Sequence, residues 1–351
     1  MSAATVHLHT SPHLREGRSV PVIMRNVALA ISPVCLFSIY QFGLSALALI
    51  LFTPFVCILT EHLACRWSGK ESTITDWSAA VTGLLLALTL PPGFPLWMAA
   101  VAAVFAIAVG KLFFGGLGFN IMNPALVGRA FAQASFTVPI TTWTPSMVHV
   151  RFSEFIPSTL TFPFAQPPDI KPWIDAINVD GWTGATPLAL MKFDHIGTNV
   201  AQLFLGTTAG SAGETSAILV LLCGLYLALR GFLNWRIVAA TLGSAALLAL
   251  VFHVVDSSQY PGPLFTLFSG GLMLGAVFMA TDMVTAPVTP LGIWVYGTLI
   301  GVLTVIIRLF GGLNEGMMYA ILLANAAAPL INTMTQPRIY GAPKREKKVK
   351  A

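Results

Sequence analysis

The chain has 351 residues, of which 56% are hydrophobic and 9% charged, and its mean hydropathy is +0.78; soluble domains carry ~25% charged residues. Too few charges remain to cover a soluble surface of this size, so the chain reads as an integral membrane protein, not a soluble enzyme, nucleic-acid binder, disulfide-stapled secreted domain or disordered scaffold. Its apolar runs are continuous rather than alternating, which argues against a β-barrel, and the net charge of +5 includes five basic residues crowded at 344–350, a cytoplasmic-end signal rather than a nucleic-acid footprint.

In chain order, spanning-length apolar segments fall at about 24–42, 44–63, 77–93, 96–113, 121–138, 215–230, 236–255, 263–281, 290–310 and 316–334. The expected fold is therefore an all-α integral membrane protein with about ten transmembrane helices. Arg15, Arg18 and Arg25 precede the first span, Arg66 and Lys70 follow the second, Lys111 ends the fourth, and Arg230 and Arg236 flank the turn from the sixth to the seventh. An even number of spans puts these on one side with the basic tail, the cytoplasmic side; Arg308 is the exception. Residues 1–23 then form a cytoplasmic segment, 24–138 a first membrane half, 139–212 an extracytoplasmic loop, 213–335 a second membrane half and 336–351 a cytoplasmic tail. The first 26 residues carry no apolar stretch or small-residue cleavage site, so no cleavable signal is expected.

The halves are related. Lys111-Leu-Phe-Phe-Gly-Gly-Leu-Gly-Phe-Asn120 resembles Arg308-Leu-Phe-Gly-Gly-Leu-Asn314, and Gly83-Leu-Leu-Leu with Pro91 and Pro92 lies opposite Gly271-Leu-Met-Leu with Pro287 and Pro290. Matching elements five spans apart place the second copy upside down, giving two inverted five-helix halves.

Three strings carry candidate chemistry. In Asp180-Gly181-Trp182-Thr183-Gly184-Ala185-Thr186-Pro187-Leu188, Asp-Gly is a turn pair, and Thr186 before Pro187 reads as the N-cap of a short helix. The same geometry leaves an exposed hydroxyl with little bulk beside it, where a phosphate ester would face free N–H groups. In Gly115-Gly116-Leu-Gly118-Phe-Asn120-Ile-Met-Asn123-Pro124-Ala-Leu-Val-Gly128-Arg129-Ala-Phe131, the glycines allow close backbone approach, Asn120 and Asn123 share a face, and Arg129 is a charge in an apolar register. A packing role, with Asn as interhelical glue, reads equally well. In Ala280-Thr281-Asp282-Met283-Val284-Thr285-Ala286-Pro287, Asp282 and Thr285 mark the break of a discontinuous helix at the end of the eighth span, where polar groups from both halves would meet; a loop acid or N-cap is the plainer alternative. The cysteines Cys35, Cys57, Cys65 and Cys223 read as small packing residues, His7, His9 and His13 as a tail, and no metal site is expected.

These strings resemble one family. Asp-Gly-x-Thr-Gly-Ala-Thr is similar to the flavinylation motif of membrane subunits in two respiratory complexes: the D subunit of the Rnf ferredoxin:NAD oxidoreductase and the B subunit of the sodium-translocating NADH:quinone oxidoreductase. The resemblance extends to Asn-x-x-Asn-Pro-Ala-Leu-x-Gly-Arg-Ala-Phe and to an Ala-Thr-Asp-Pro-Val-Thr segment, in which Met283 replaces the proline. It implies FMN joined through its phosphate to Thr186 by a flavin transferase, with Asp180, Gly181, Thr183, Gly184 and Ala185 around it. It also implies a non-covalent riboflavin near Gly118, Asn120, Asn123, Arg129, Asp282 and Thr285. The short N-terminal segment favours the Rnf branch, an ion-translocating oxidoreductase of the bacterial inner membrane. Its other subunits would be the partners: a flavin-bearing outer-face subunit, membrane iron–sulfur subunits and a cytoplasmic NAD-linked subunit. A solute channel or carrier without a redox cofactor is the alternative that inverted repeats also allow.

Overall fold

The computed structural model describes residues 19–69, 73–177, 184–214, 216–257 and 259–337, and all regular structure among them is helical. The first half contains α1 (Val20–Phe42), α2 (Leu44–Trp67), α3 (Ser78–Thr89), α4 (Leu96–Ile107) and α5 (Pro124–Ser135). A connection follows with four short helices, α6 (Thr137–Thr141), α7 (Lys171–Ala176), α8 (Pro187–Phe193) and α9 (Val200–Leu205). The second half contains α10 (Ala217–Leu229), α11 (Trp235–Val255), α12 (Pro263–Phe268), α13 (Leu272–Leu274), α14 (Pro290–Phe310) and α15 (Met317–Thr335).

Among the described residues, α1, α2, α11, α14 and α15 are long and apolar enough to cross a bilayer. The other expected spans are shorter. The twelve residues of α3 and of α5 and the thirteen of α10 make helices of about 18–20 Å. The expected third span, 77–93, gives out at Thr89, and the fifth, 121–138, is one helix only over 124–135 before the chain breaks at Phe136 and starts α6. The eighth, 263–281, is not one helix: it breaks at Ser269–Gly271 and ends in a widened turn, Gly275–Met279, closed by the Ala280 N–H on the Gly275 carbonyl at 2.7 Å. A similar turn, Ala108–Leu112, ends α4.

Irregular backbone survives at membrane depth only where protein satisfies it, and here the connection between the halves does so. Ala212 and Gly213 N–H groups donate to the carbonyls of Leu90 and Leu88 at 3.0 and 2.7 Å, closing the open end of α3. Ser158 Oγ donates to the Gly93 carbonyl at 2.6 Å, and the Leu96 N–H to Thr159 O at 3.1 Å. At the start of α2, Leu44 N–H reaches the Arg151 carbonyl at 2.9 Å past Gly43, where a Cβ would lie 1.9 Å from that oxygen.

The packing follows the repeat. Helix α2 packs on α3 and α4 as α11 packs on α12 and α14; α4 packs on α5 as α14 packs on α15. Across the pseudo-axis α1 meets α10 and α5 meets α15, with Tyr226 Oη donating to Asn26 Oδ1 at 2.9 Å. Helices α11 and α14 approach closely at Gly297 and Gly301, a small-x-x-x-small pair; a Cβ on Gly301 would sit 2.0 Å from Ser244 Oγ and 2.4 Å from the Thr241 carbonyl.

Each half also carries one buried cation near the end of its fourth span. Lys111 Nζ donates to Glu61 Oε1 at 2.7 Å and to Ser78 Oγ at the start of α3. Arg308, its repeat counterpart, donates from Nη1 to Thr266 O at 2.7 Å and from Nη2 to Ser269 O at 2.9 Å, at the end of α12. In both halves a long basic side chain ties the fourth span to a polar point on the third. That accounts for Arg308, the residue that breaks the charge asymmetry: it is a structural cation inside the protein.

Candidate functional site

Thr186 has extended backbone (φ −78°, ψ 159°), and its Oγ1 accepts from the Ala189 N–H at 3.3 Å. It caps α8, with Pro187 fixing the first helical position. Gly184 at φ +71° turns the chain into this cap. The hydroxyl is not displayed on the surface as expected. Thr186 is 6% exposed because α8 lies against the break in the eighth span, where a Cβ on Gly270 would come 2.5 Å from Leu188 Cδ1.

What Thr186 faces instead is a cavity of about 280 Å³ whose walls include Gly184, Ala185, Gln133, Trp143, Tyr319 and Arg129. The Arg129 guanidinium bonds Glu315 and lies 3.9 Å from Glu214 Oε1. The side chains of Arg129, Glu315 and Glu214 are 4%, 21% and 6% exposed respectively. Arg308 is near enough to both acids to interact with them electrostatically. The Gly270–Gly271 break makes the room: a Cβ on Gly271 would meet Glu214 Oε1 at 2.5 Å. Two arginines and two glutamates thus join α5, α14 and the two connecting segments beneath Thr186. Asp180, Gly181 and Thr183 lie outside the described residues.

A second cavity, about 90 Å³, lies between the halves at the other end of the helices. Asn120, Asn123, Lys111 and Ser78 from the first half share it with Thr281 and Asp282 from the second. Asn123 caps α5, accepting from the Ala125 N–H at 3.0 Å, while its Nδ2 donates to Met279 O across the halves at 3.3 Å. Asn120 Oδ1 is buried without a partner. Asp282 accepts from the Val284 N–H and from Thr285 Oγ1, both at 3.3 Å. Thr285 orients the carboxylate and does not line the cavity, and Gly118 (φ +92°) shapes the adjoining turn without lining it.

Arg129 departs from the sequence expectation. It belongs with Thr186, not with Asn120 and Asn123, because six residues of α5 carry it about 9 Å along the helix from Asn123. Residues of one sequence string therefore line two cavities. Glu214 and Glu315 were not expected as site residues, nor Glu61 as the partner of Lys111. The signal available for the first two was the buried Arg129 itself, which demands carboxylates from elsewhere.

Inverted helical halves, a broken span and polar cavities at both ends define a polytopic membrane protein of the inverted-repeat class. The chain belongs to the NQR2, RnfD, RnfE family, whose model matches residues 7–341. It is 40% identical over 355 residues to the D subunit of the Na⁺-translocating ferredoxin:NAD⁺ oxidoreductase complex of Acetobacterium woodii, covering 100% of both chains. It is 39% identical to the D subunit of the proton-translocating ferredoxin:NAD⁺ oxidoreductase complex of Clostridium ljungdahlii, over 95% of this chain and 96% of that one. It is 38% identical to the D subunit of the ion-translocating oxidoreductase complex of Aliivibrio salmonicida, over 95% and 97%.

Proposed function

We propose that this chain is the flavin-carrying membrane subunit of a redox-driven, ion-translocating complex of the Rnf type, with FMN held through a phosphoester to Thr186. The observation that carries the reading is local: the one threonine that ends the Gly-Ala-Thr string opens onto a cavity that also presents a guanidinium. Relatives matched over the whole chain are named as D subunits of such complexes. Two of them are named for different ions, so either Na⁺ or H⁺ is compatible with family membership.

The residues present fit the group. A cavity of about 280 Å³ is close to the ~300 Å³ lower end of ligand pockets; it has aromatic walls in Trp143 and Tyr319, and Arg129, paired with the Glu315 that also lines the cavity, keeps an Nη1 without a hydrogen-bond partner to offer a phosphate. Bound there, a flavin would supply one- and two-electron transfer. The chain's own residues would fix the tether at a helix cap, flank the group with Trp143 and Tyr319, and hold a charged cluster beside it. Were a flavin reduced there, the negative charge added in a low dielectric would have to be offset by a proton or cation, and that requirement would tie electron flow to ion movement.

For a second, non-covalent riboflavin the polar set fits, since Asn120 Oδ1 lacks a partner and Asn123 and Asp282 flank it. The volume of about 90 Å³ does not admit a tricyclic ring in this side-chain arrangement, and no step is assigned to it. In this reading the Thr186 end faces the extracytoplasmic side of the bacterial inner membrane, both termini are cytoplasmic, and the remaining Rnf-type subunits are partners, with a flavin transferase acting during maturation.

After denaturing electrophoresis of protein made beside the transferase, the band should fluoresce under ultraviolet light. Thr186→Ala should be dark, and Thr186→Ser, which keeps the hydroxyl and cap, should fluoresce. A dark wild-type band would favour a carrier without a redox cofactor.

A further inference from the structure

Beside α8 lies another cavity, of about 100 Å³, between α8, α11, α12 and α14, with Asn314 shared between its wall and that of the Thr186 cavity. Its apolar walls include Ala249, Phe252, Phe265 and Val305, and its polar lining includes Lys192, His195, Arg308 and Asn314. Among the described residues, no Asp or Glu lines it. Three groups there have unspent hydrogen-bonding capacity. Lys192 Nζ donates to the Gly311 carbonyl at 2.5 Å and the Leu313 carbonyl at 3.0 Å, which uses two of an ammonium's three donors. Arg308 is 5% exposed, and its Nε is buried without a partner. Asn314 Oδ1, an acceptor, is likewise unpartnered.

We propose that this cavity binds the headgroup of an anionic phospholipid of the phosphatidylglycerol type, its phosphate between Lys192 and Arg308 and a headgroup hydroxyl on Asn314 Oδ1. Charge complementarity selects an anion: Glu214 and Glu315 offset part of the Arg308 charge from outside the cavity, but the bonds of the Lys192 ammonium go to carbonyls, and a partly desolvated cation without a lining carboxylate is costly until an anion arrives. Burial pulls the Lys192 ammonium below the ordinary lysine range, the direction that an arriving phosphate would reverse. Volume selects a small group: about 100 Å³ lies well below the ~300 Å³ lower end of pockets for drug-sized ligands, so the phosphate enters with its short polar substituent at the mouth, and a nucleotide is excluded.

The surroundings select a lipid over free phosphate. The ends of α11 and α14 beside the cavity expose Val251, Val254, Val255, Ile306 and Phe310, an apolar band along which acyl chains can lie while the headgroup turns inward. Lys192 also pins α8 to the α14–α15 turn, so the lipid would brace the helix that Thr186 caps. The assignment does not depend on a flavin being present.

The test is native mass spectrometry of the detergent-purified full chain, titrated separately with phosphatidylglycerol, phosphatidylcholine and sodium phosphate. The wild type should bind phosphatidylglycerol about ten-fold more tightly than phosphatidylcholine, and Lys192→Gln should weaken it about ten-fold, the scale of one charge-assisted hydrogen bond. Lys192→Arg should retain most of the binding. Ala249→Leu, which narrows the cavity without changing charge, should also lose it, and this separates occupancy from any loosening of α8 in Lys192→Gln. Equal binding of the two lipids, unchanged binding in both Lys192→Gln and Ala249→Leu, or inorganic phosphate binding as tightly as phosphatidylglycerol would each overturn the assignment.

Discussion

Replacing Arg129 by methionine tests the cluster beneath Thr186. The substitution keeps roughly the same length and removes the guanidinium that bonds Glu315 and faces Glu214 at 3.9 Å. Breaking a buried pair by deleting one partner costs about 3–5 kcal/mol, most of it the penalty for the charge left behind. Glu214, 6% exposed, has little access to water, whereas Glu315 at 21% can be partly solvated, and Arg308 remains nearby. Those two reliefs place the expected loss near the lower end, about 3 kcal/mol. Unfolding of the purified protein in mixed detergent micelles reads it directly. The double variant Arg129→Met with Glu315→Gln should recover part of the loss, because one carboxylate is neutralised with its partner. Arg129→Lys should fall between, keeping charge but not the planar fork. A single variant within about 1 kcal/mol of wild type, the scale of an exposed ion pair, would refute the reasoning, as would a double variant no more stable than the single.

The other expectations concern the scaffold. Lys111→Met should destabilise by about 3–5 kcal/mol by stranding Glu61, and adding Glu61→Gln should restore much of it in the same unfolding assay. Gly301→Leu should exceed the ~1–3 kcal/mol of ordinary overpacking, because its first clashes include the Thr241 backbone carbonyl; folded yield and melting temperature report it. Asn123→Ala should cost about 1 kcal/mol for the lost cap plus the bond to Met279 O, and should raise hydrogen exchange at both 123–126 and 279–282.

The long apolar runs made α1, α2, α11, α14 and α15 legible, since ~20 apolar residues leave little choice but a spanning helix. The Thr186–Pro187 cap was legible because both residues act within one turn. Less was visible where distant segments decide the outcome. The eighth span reads as one helix because nothing local announces that Arg308 and Glu214 fill the break at Gly270–Gly271. Thr186 reads as exposed because its own neighbours are small; its burial comes from docking α8 on a segment about 80 residues away. Arg129 was recognisable as a charge needing partners, but Glu214 and Glu315 lie 85 and 186 residues further along the chain, and no spacing rule connects them.

The claim on which the functional account rests is a covalent bond at a single side-chain oxygen. Intact-mass measurement of the purified chain, co-expressed with the transferase, tests it most directly. The account predicts a polypeptide heavier than its bare sequence by one FMN less one water, with the increment absent from Thr186→Ala. A wild-type chain at its bare mass, or an increment that survives in Thr186→Ala, would contradict it.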